Sequence, residues 1–233
     1  VVTIYTNRQS SIATHTLRYS FFSSNGTIAT GVTTSCTWTP PVSLAAQIPN
    51  ATSGWGTILC DTYVNGNLVS TNTCAFQLTV PASVVPSISN VAFSEATSGI
   101  ADRFGGYVRT RSKLSVSITA TGAQGSSISS YRTSIDSATY SGASFTTNTL
   151  ITAGSLTMTV TVTDSRGRTA STTRTVTVLD YSPPSLSQFA AERCNADGTA
   201  AQTDGTKVRI SAKASGSSVG GKNTLACTVY YKL

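Results

Sequence analysis

Val80-Pro-Ala-Ser-Val-Val-Pro-Ser-Ile-Ser-Asn-Val-Ala-Phe93 returns about a hundred residues later as Val178-Leu-Asp-Tyr-Ser-Pro-Pro-Ser-Leu-Ser-Gln-Phe189. The second copy stays in step, because Lys113–Gly122 (KLSVSITATG) aligns without a gap to Lys207–Gly216 (KVRISAKASG). Self-similarity at this period, with proline at each join, marks tandem modules rather than one continuous enzyme fold. Pro81 with Pro86, and Pro183 with Pro184, fix φ and disfavour helix in the residue before, so each join reads as a short, stiff linker. The expected modules are 1–81, 82–180 and 181–233, joined as an extended rod, the third breaking off at Leu233 before its second half. That ending, and a start without Met, read as a fragment or a processed chain.

Working outward from the joins, the pattern is that of strands. Leu156, Met158, Val160 and Val162 alternate with Thr157, Thr159, Thr161 and Thr163, the period of an amphipathic strand. The turn cluster Asp164-Ser-Arg-Gly167 follows, and alternation resumes from Thr172 to Val178, which makes a hairpin. In the first module Thr57–Val64, Asn65-Gly66-Asn67 and Leu68–Val80 form another, because Asn-Gly accepts positive φ at little steric cost. One helix-like stretch, Ser43–Ile48, is held by prolines on both sides to a turn or two that caps the first module. Several short strands per module, with turns about every 8–12 residues, predict an all-β chain of tandem antiparallel sandwiches resembling the immunoglobulin class in architecture. The Cys, Trp, Cys spacing of true immunoglobulin domains is not met.

Composition agrees with a surface built from hydroxyls. Thr (40) and Ser (35) fill about a third of the 233 residues, and charged residues are only 11%, against roughly 25% in an average soluble domain. The net charge of +7 is spread thinly, with two Arg against one Asp in residues 1–81 and no block of like charge anywhere. Binding nucleic acid through phosphates needs a dense basic face, so no nucleic-acid partner is expected. Arg109, Arg111 and Lys113 alternate with Thr110 and Ser112, which on a strand would set the three cations on one solvated face. No apolar run is long enough to span a bilayer, and membrane insertion is not expected.

The chain offers little for catalysis. His15 is the only histidine, set between Thr14 and Thr16 in an expected strand, and no GxSxG elbow exists. Glu95 and Glu192 stand at similar places after each join, which implies a shared structural task rather than one acid pair. Asn195-Ala-Asp197-Gly198 lacks the spaced acids of a calcium loop and reads as a tight turn. Cys36, Cys60, Cys74, Cys194 and Cys227 are odd in number and without CxxC spacing, so at least one thiol stays free or pairs between chains. Alternation puts Cys60 and Cys74 on apolar faces, either as buried thiols or as a cross-sheet disulfide. Trp38 and Trp55 are expected to be buried, with exposed stacking on sugar as the functional alternative. We expect no catalytic residue, no cofactor and no metal.

Beyond these patterns, W-x-PP-x-SLA-x-QIPNA-x-SG, C-x-TY-x-NG and T-x-T-C-x-F-x-L-x-VP within Cys36–Pro81 resemble a family of minor structural proteins of long-tailed bacteriophages. The order continues through GYV (106–108), TATGAQGSSISSY (119–131), VTDSRGR (162–168), VLDYSPP (178–184) and RCNADGTAAQTDGT (193–206). The resemblance implies a non-enzymatic virion component of the tail tip, baseplate or fibre, extracellular, meeting other tail proteins and copies of itself. The alternative is a carbohydrate-binding or adhesin-stalk module on a bacterial surface. Candidate contacts for host cell-wall polysaccharide or a partner are Trp55, Tyr63, Tyr107, Arg109 and Arg111.

Overall fold

The computed structural model describes residues 1–200 and 203–230. Leu233, where the third module is expected to break off, lies outside the described residues, as do Ala201 and Gln202 of the RCNADGTAAQTDGT stretch. The first stretch holds β1 (Val2–Tyr5), β2 (Ala13–Phe21), β3 (Ser24–Val32), β4 (Ser35–Trp38), β5 (Ser53–Val64) and β6 (Asn67–Thr79). They make a four-stranded sheet in the order β3-β2-β5-β6 and a two-stranded sheet β1-β4. The β5–β6 hairpin turns on Asn65 and Gly66 at φ 49° and 81°, the two left-handed positions that let a two-residue turn follow the twist of its strands.

The core of this stretch gathers Phe21, Trp38, Leu44, Ala45, Ile48, Ile58, Leu78 and Val80. Leu44, Ala45 and Ile48 come from the proline-bracketed stretch, which folds as a 3₁₀ helix over Val42–Gln47 and closes the core as expected. Trp38 is buried, its ring centroid 5.2 Å from that of Tyr19 in a stack and 5.5 Å from Phe76 edge-on. Trp55, expected to be buried too, is 64% exposed. It sits on the face of β5 opposite Ile58, and that face carries no covering layer among the described residues.

The second stretch holds β7 (Ser87–Glu95), α1 (Ile100–Phe104), β8 (Tyr107–Val108), β9 (Leu114–Thr121), β10 (Ile128–Ile135), β11 (Ala138–Ser141), β12 (Ser144–Thr146), β13 (Gly154–Asp164) and β14 (Thr169–Leu179). One sheet runs β12-β9-β7 and the other β11-β10-β13-β14-β8, an immunoglobulin-like sandwich whose two-residue β8 pairs parallel to the end of β14. Alternation is read out directly in burial: Leu114, Val116 and Ile118 on β9, Met158, Val160 and Val162 on β13, and Val176 and Val178 on β14 are all buried. The short α1 was not legible in the sequence. It is made by Gly99 and Gly105, which take φ 76° and 70° at its two ends.

The third stretch is a hairpin of β15 (Ser185–Cys194) and β16 (Lys207–Ser215). The repeat is structural, since β7 and β15 both open on the serine after the last proline of their join. The burial is not repeated. Leu114 and Val116 are 0% and 2% exposed, whereas their sequence equivalents Val208 and Ile210 are 64% and 42% exposed. The hairpin has the pattern of a sandwich half, and no second half lies among the described residues. Compactness divides the chain into Val1–Val91 with Ile118–Arg132 and Val160–Thr172, and Ala92–Ser117 with Thr133–Thr159 and Thr173–Leu233.

Candidate functional site

Within the first compact unit, the hairpin turn between β13 and β14 does more than reverse the chain. Asp164, 1% exposed, accepts the Ser126 hydroxyl at 2.9 Å and the Arg166 and Arg168 amides at 3.0 and 2.9 Å. Its carboxylate thereby shapes the turn and aims both arginines. Arg166, 7% exposed, donates from Nε to Ile48 O (3.2 Å), from Nη1 to Ala123 O (2.7 Å), and from Nη2 to Ala45 O (2.7 Å) and Gln124 O (2.6 Å). Ser165 Oγ donates to Pro49 O at 2.6 Å, and Arg168 donates to Val80 O and Pro81 O at 2.7 and 2.5 Å.

These bonds reach the two ends of the first sheet's cap and exit, the Ala45–Pro49 bend and the Val80–Pro81 linker. A planar guanidinium has five donors in a fixed fork, which suits several carbonyls converging on one buried point. Gly125, at φ 77°, lets its loop approach Ala46 closely, since a Cβ there would lie 3.3 Å from the Ala46 Cα. Sequence reading took Asp164-Ser-Arg-Gly167 only as a turn. The available signal was two arginines flanking one glycine in a chain so poor in charge.

A second set of arginines holds the other join, within the second compact unit. Arg109 donates from Nε and Nη2 to Tyr181 O at 3.1 and 2.9 Å and pairs with Asp180 Oδ1 at 3.2 Å. Arg111 lies 5.0 Å above the Tyr181 ring and donates to its hydroxyl at 3.2 Å. The strand expected through Arg109–Lys113 is corrected here: it is a turn. Thr110 takes φ 62°, the Ser112 amide bonds back to Val108 O at 2.9 Å, and buried Ser112 Oγ accepts the Val108 amide at 2.7 Å. A local side-chain cap has won over strand pairing, so Arg109 and Arg111 engage the linker instead of sharing a strand face with Lys113.

Of the remaining candidates, Trp55 and Tyr63 do not meet. Trp55 and Tyr63 lie on β5 eight residues apart, about 27 Å along the strand. Tyr107 belongs to the other compact unit, half-buried with its ring 6.1 Å from Phe93, and burial followed by the charge of Glu95 pushes its hydroxyl above the ordinary value. Buried His15, on β2 as expected, meets Thr62 Oγ1 at 3.1 Å and Cys60 Sγ at 3.6 Å through Nδ1. Burial, then Asp61, raises the Cys60 thiol, which keeps it protonated rather than nucleophilic. All five cysteines are free. Cys74, expected on a buried face, is exposed: it lies on the sheet's edge strand β6 and lines an open cavity with Ile4, Tyr5 and Thr6 instead of packing against them. Asp197 Oδ1 accepts the Thr199 amide and hydroxyl at 2.9 and 2.7 Å, so the Asn195–Gly198 segment is the expected turn.

On the outer face of the four-stranded sheet, buried Asp61 accepts Arg18 Nε at 2.7 Å, Arg18 Nη2 at 3.0 Å and Thr71 Oγ1 at 2.7 Å. Those bonds from Arg18, then from Thr71, hold its carboxyl below the usual carboxylate range. A carboxyl lowered on folding contributes stability in full above its unfolded value, near 3.9, and loses it as pH falls through the folded one. Chemical denaturation of wild type and Asp61→Asn between about pH 7 and pH 2 should therefore show a steeper acid decline for wild type, confined to below about pH 4. Parallel curves would mean that Asp61 titrates alike folded and unfolded.

A family model described as "Siphovirus protein of unknown function (DUF859)" matches residues 1–231, and the chain belongs to that family. No curated protein matches. Among solved structures, one of Clostridium thermocellum CbhA fibronectin(III)-like modules is similar, with 13% identity and a TM-score of 0.33, covering 77% of this chain and 85% of that one. The fold assignment rests on the sheets themselves.

Proposed function

We propose that this bacteriophage chain is a non-enzymatic structural part of the virion tail, in its tip, baseplate or fibre. In this reading stiffly joined sandwich modules act as a spacer between neighbouring tail proteins and a host-contacting end. The observation that carries it is the fastening of both joins by arginines. Arg166 and Arg168 bond the first linker and its cap, and Arg109 and Arg111 bond the second. Proline alone restricts two dihedrals at each join; side-chain bonds to linker residues restrict it further, which favours a part transmitting position or force.

A second reading, contact with host cell-wall polysaccharide, draws on Trp55, whose large exposed ring on an open sheet face is suited to stacking on sugar. One experiment separates them. Gold-labelled antibody to the chain should mark the tail of purified particles, and particles carrying Trp55→Ala should adsorb to host walls as wild type does. Loss of adsorption with labelling retained favours the glycan reading, and failure to label any particle sinks the tail reading itself.

A further inference from the structure

Sheet edges present a row of unpaired N–H and C=O groups, and proteins blunt them with charge, proline, bulges, short length or a covering element. The edges of this molecule differ sharply in that respect. Edge strands β8, β11 and β12 have 2, 4 and 3 residues. β7 ends on Glu95, while β15 and β16 carry Glu192, Arg193, Lys207, Arg209 and Lys213. β3 is interrupted by two register shifts against β2.

β6 has none of these devices from Ser70 to Thr79; its one bulge, at Val69, lies beside the hairpin turn. Its 13 residues, Asn-Leu-Val-Ser-Thr-Asn-Thr-Cys-Ala-Phe-Gln-Leu-Thr, contain no charge, no proline and no glycine, and they extend about 44 Å. Pairing with β5 runs without a shift from Ser53↔Thr79 to Thr62↔Ser70, so this edge is regular; the single irregularity lies next to the hairpin turn. Asn67 to Ala75 are all exposed, Leu68 at 55% and Val69 at 57%, and no strand among the described residues pairs with the outer rim.

We propose that β6 pairs antiparallel with β6 of a second copy of this chain, about a two-fold axis, joining two four-stranded sheets into one of eight strands. Antiparallel pairing of a strand with itself matches each row of donors to an identical row of acceptors, as a closed two-fold interface requires. The opposing side chains are Ser, Thr, Asn, Leu and Val, which pair across strands without like-charge conflict. The stretch 1–81 has two Arg and one Asp, of which Arg18 and Asp61 pair with each other, so copies approach with little repulsion. A partner of strong opposite charge would find nothing on this edge to recognise. The inference stands on the edge alone, so it and the virion reading fail separately.

Sedimentation velocity of the full chain tests it. Wild type should be a dimer at micromolar concentration, and Thr73→Lys with Ala75→Lys, both at exposed positions of β6, should weaken association by about tenfold or more while leaving the far-ultraviolet spectrum and melting temperature unchanged. Thr27→Lys with Thr30→Lys on the edge strand β3 should leave the dimer intact. Hydrogen exchange gives an independent readout: β6 amides should become more protected as concentration rises, β3 amides should not. A wild-type monomer, or a dimer that the β3 pair disrupts and the β6 pair does not, overturns the proposal, as does exchange at β6 that is independent of concentration.

Discussion

Replacing Arg166 by Ala should destabilise the chain by about 2–4 kcal/mol and lower its melting temperature by roughly 10 °C. The side chain is 7% exposed and serves four carbonyls, so its loss leaves Ala45, Ile48, Ala123 and Gln124 facing a cavity with a guanidinium's worth of donors gone. Removing a buried donor costs more than the bond it made, because the acceptors stay desolvated. Arg166→Lys should recover less than half, since an ammonium is a point donor that cannot span four converging oxygens. Arg168→Ala should cost less, because its bond to Pro81 O is exposed and water can replace it. Differential scanning calorimetry, paired with limited proteolysis at Pro81–Pro86, provides the check. Arg166→Ala melting with wild type and resisting cleavage equally would mean that the join is held by proline alone, and the proposed stiffness would lose its main support.

Gly122→Ala should be at least as severe, about 3 kcal/mol or more, whereas Gly216→Ala, its equivalent in the repeat, should stay within about 0.5 kcal/mol of wild type. A Cβ on Gly122 would overlap the carbonyl oxygen and carbon of Ser126, and backbone atoms cannot turn aside as a flexible side chain would. The neighbouring Ala123 and Gln124 carbonyls are those Arg166 bonds, so the strain would propagate into the join. At Gly216 a Cβ meets only Leu225 Cδ1 at 3.5 Å and Pro184 Cα at 4.0 Å, ordinary contacts. Urea unfolding of the two variants gives the comparison directly. Equal midpoints would show that the turn after β9 relaxes freely and that the two repeats share the same packing there.

That contrast shows where the sequence stopped being informative. Lys113–Gly122 and Lys207–Gly216 are matched residue for residue, and the match correctly announces two equivalent strands after two equivalent proline joins. It says nothing about cover: Leu114 is fully buried and Val208 mostly exposed, because a second sheet faces one and none among the described residues faces the other. Cys74 failed for the same reason. Its alternation with Phe76 and Leu78 identifies the inward face, but β6 is an edge strand whose first nine residues are all exposed.

Local chemistry therefore settled most strands, the Asn65-Gly66 hairpin and the 3₁₀ cap between its prolines, since each depends on dihedral preference and period over a few residues. Which strand lies at an edge, that Arg109–Lys113 turns back to wrap a linker, and that Arg166 reaches Ala45 and Ile48 more than a hundred residues away were decided only by tertiary structure. A side chain's partners across such distances are chosen by which backbone carbonyls the fold brings to one point, and no spacing along the chain encodes that convergence.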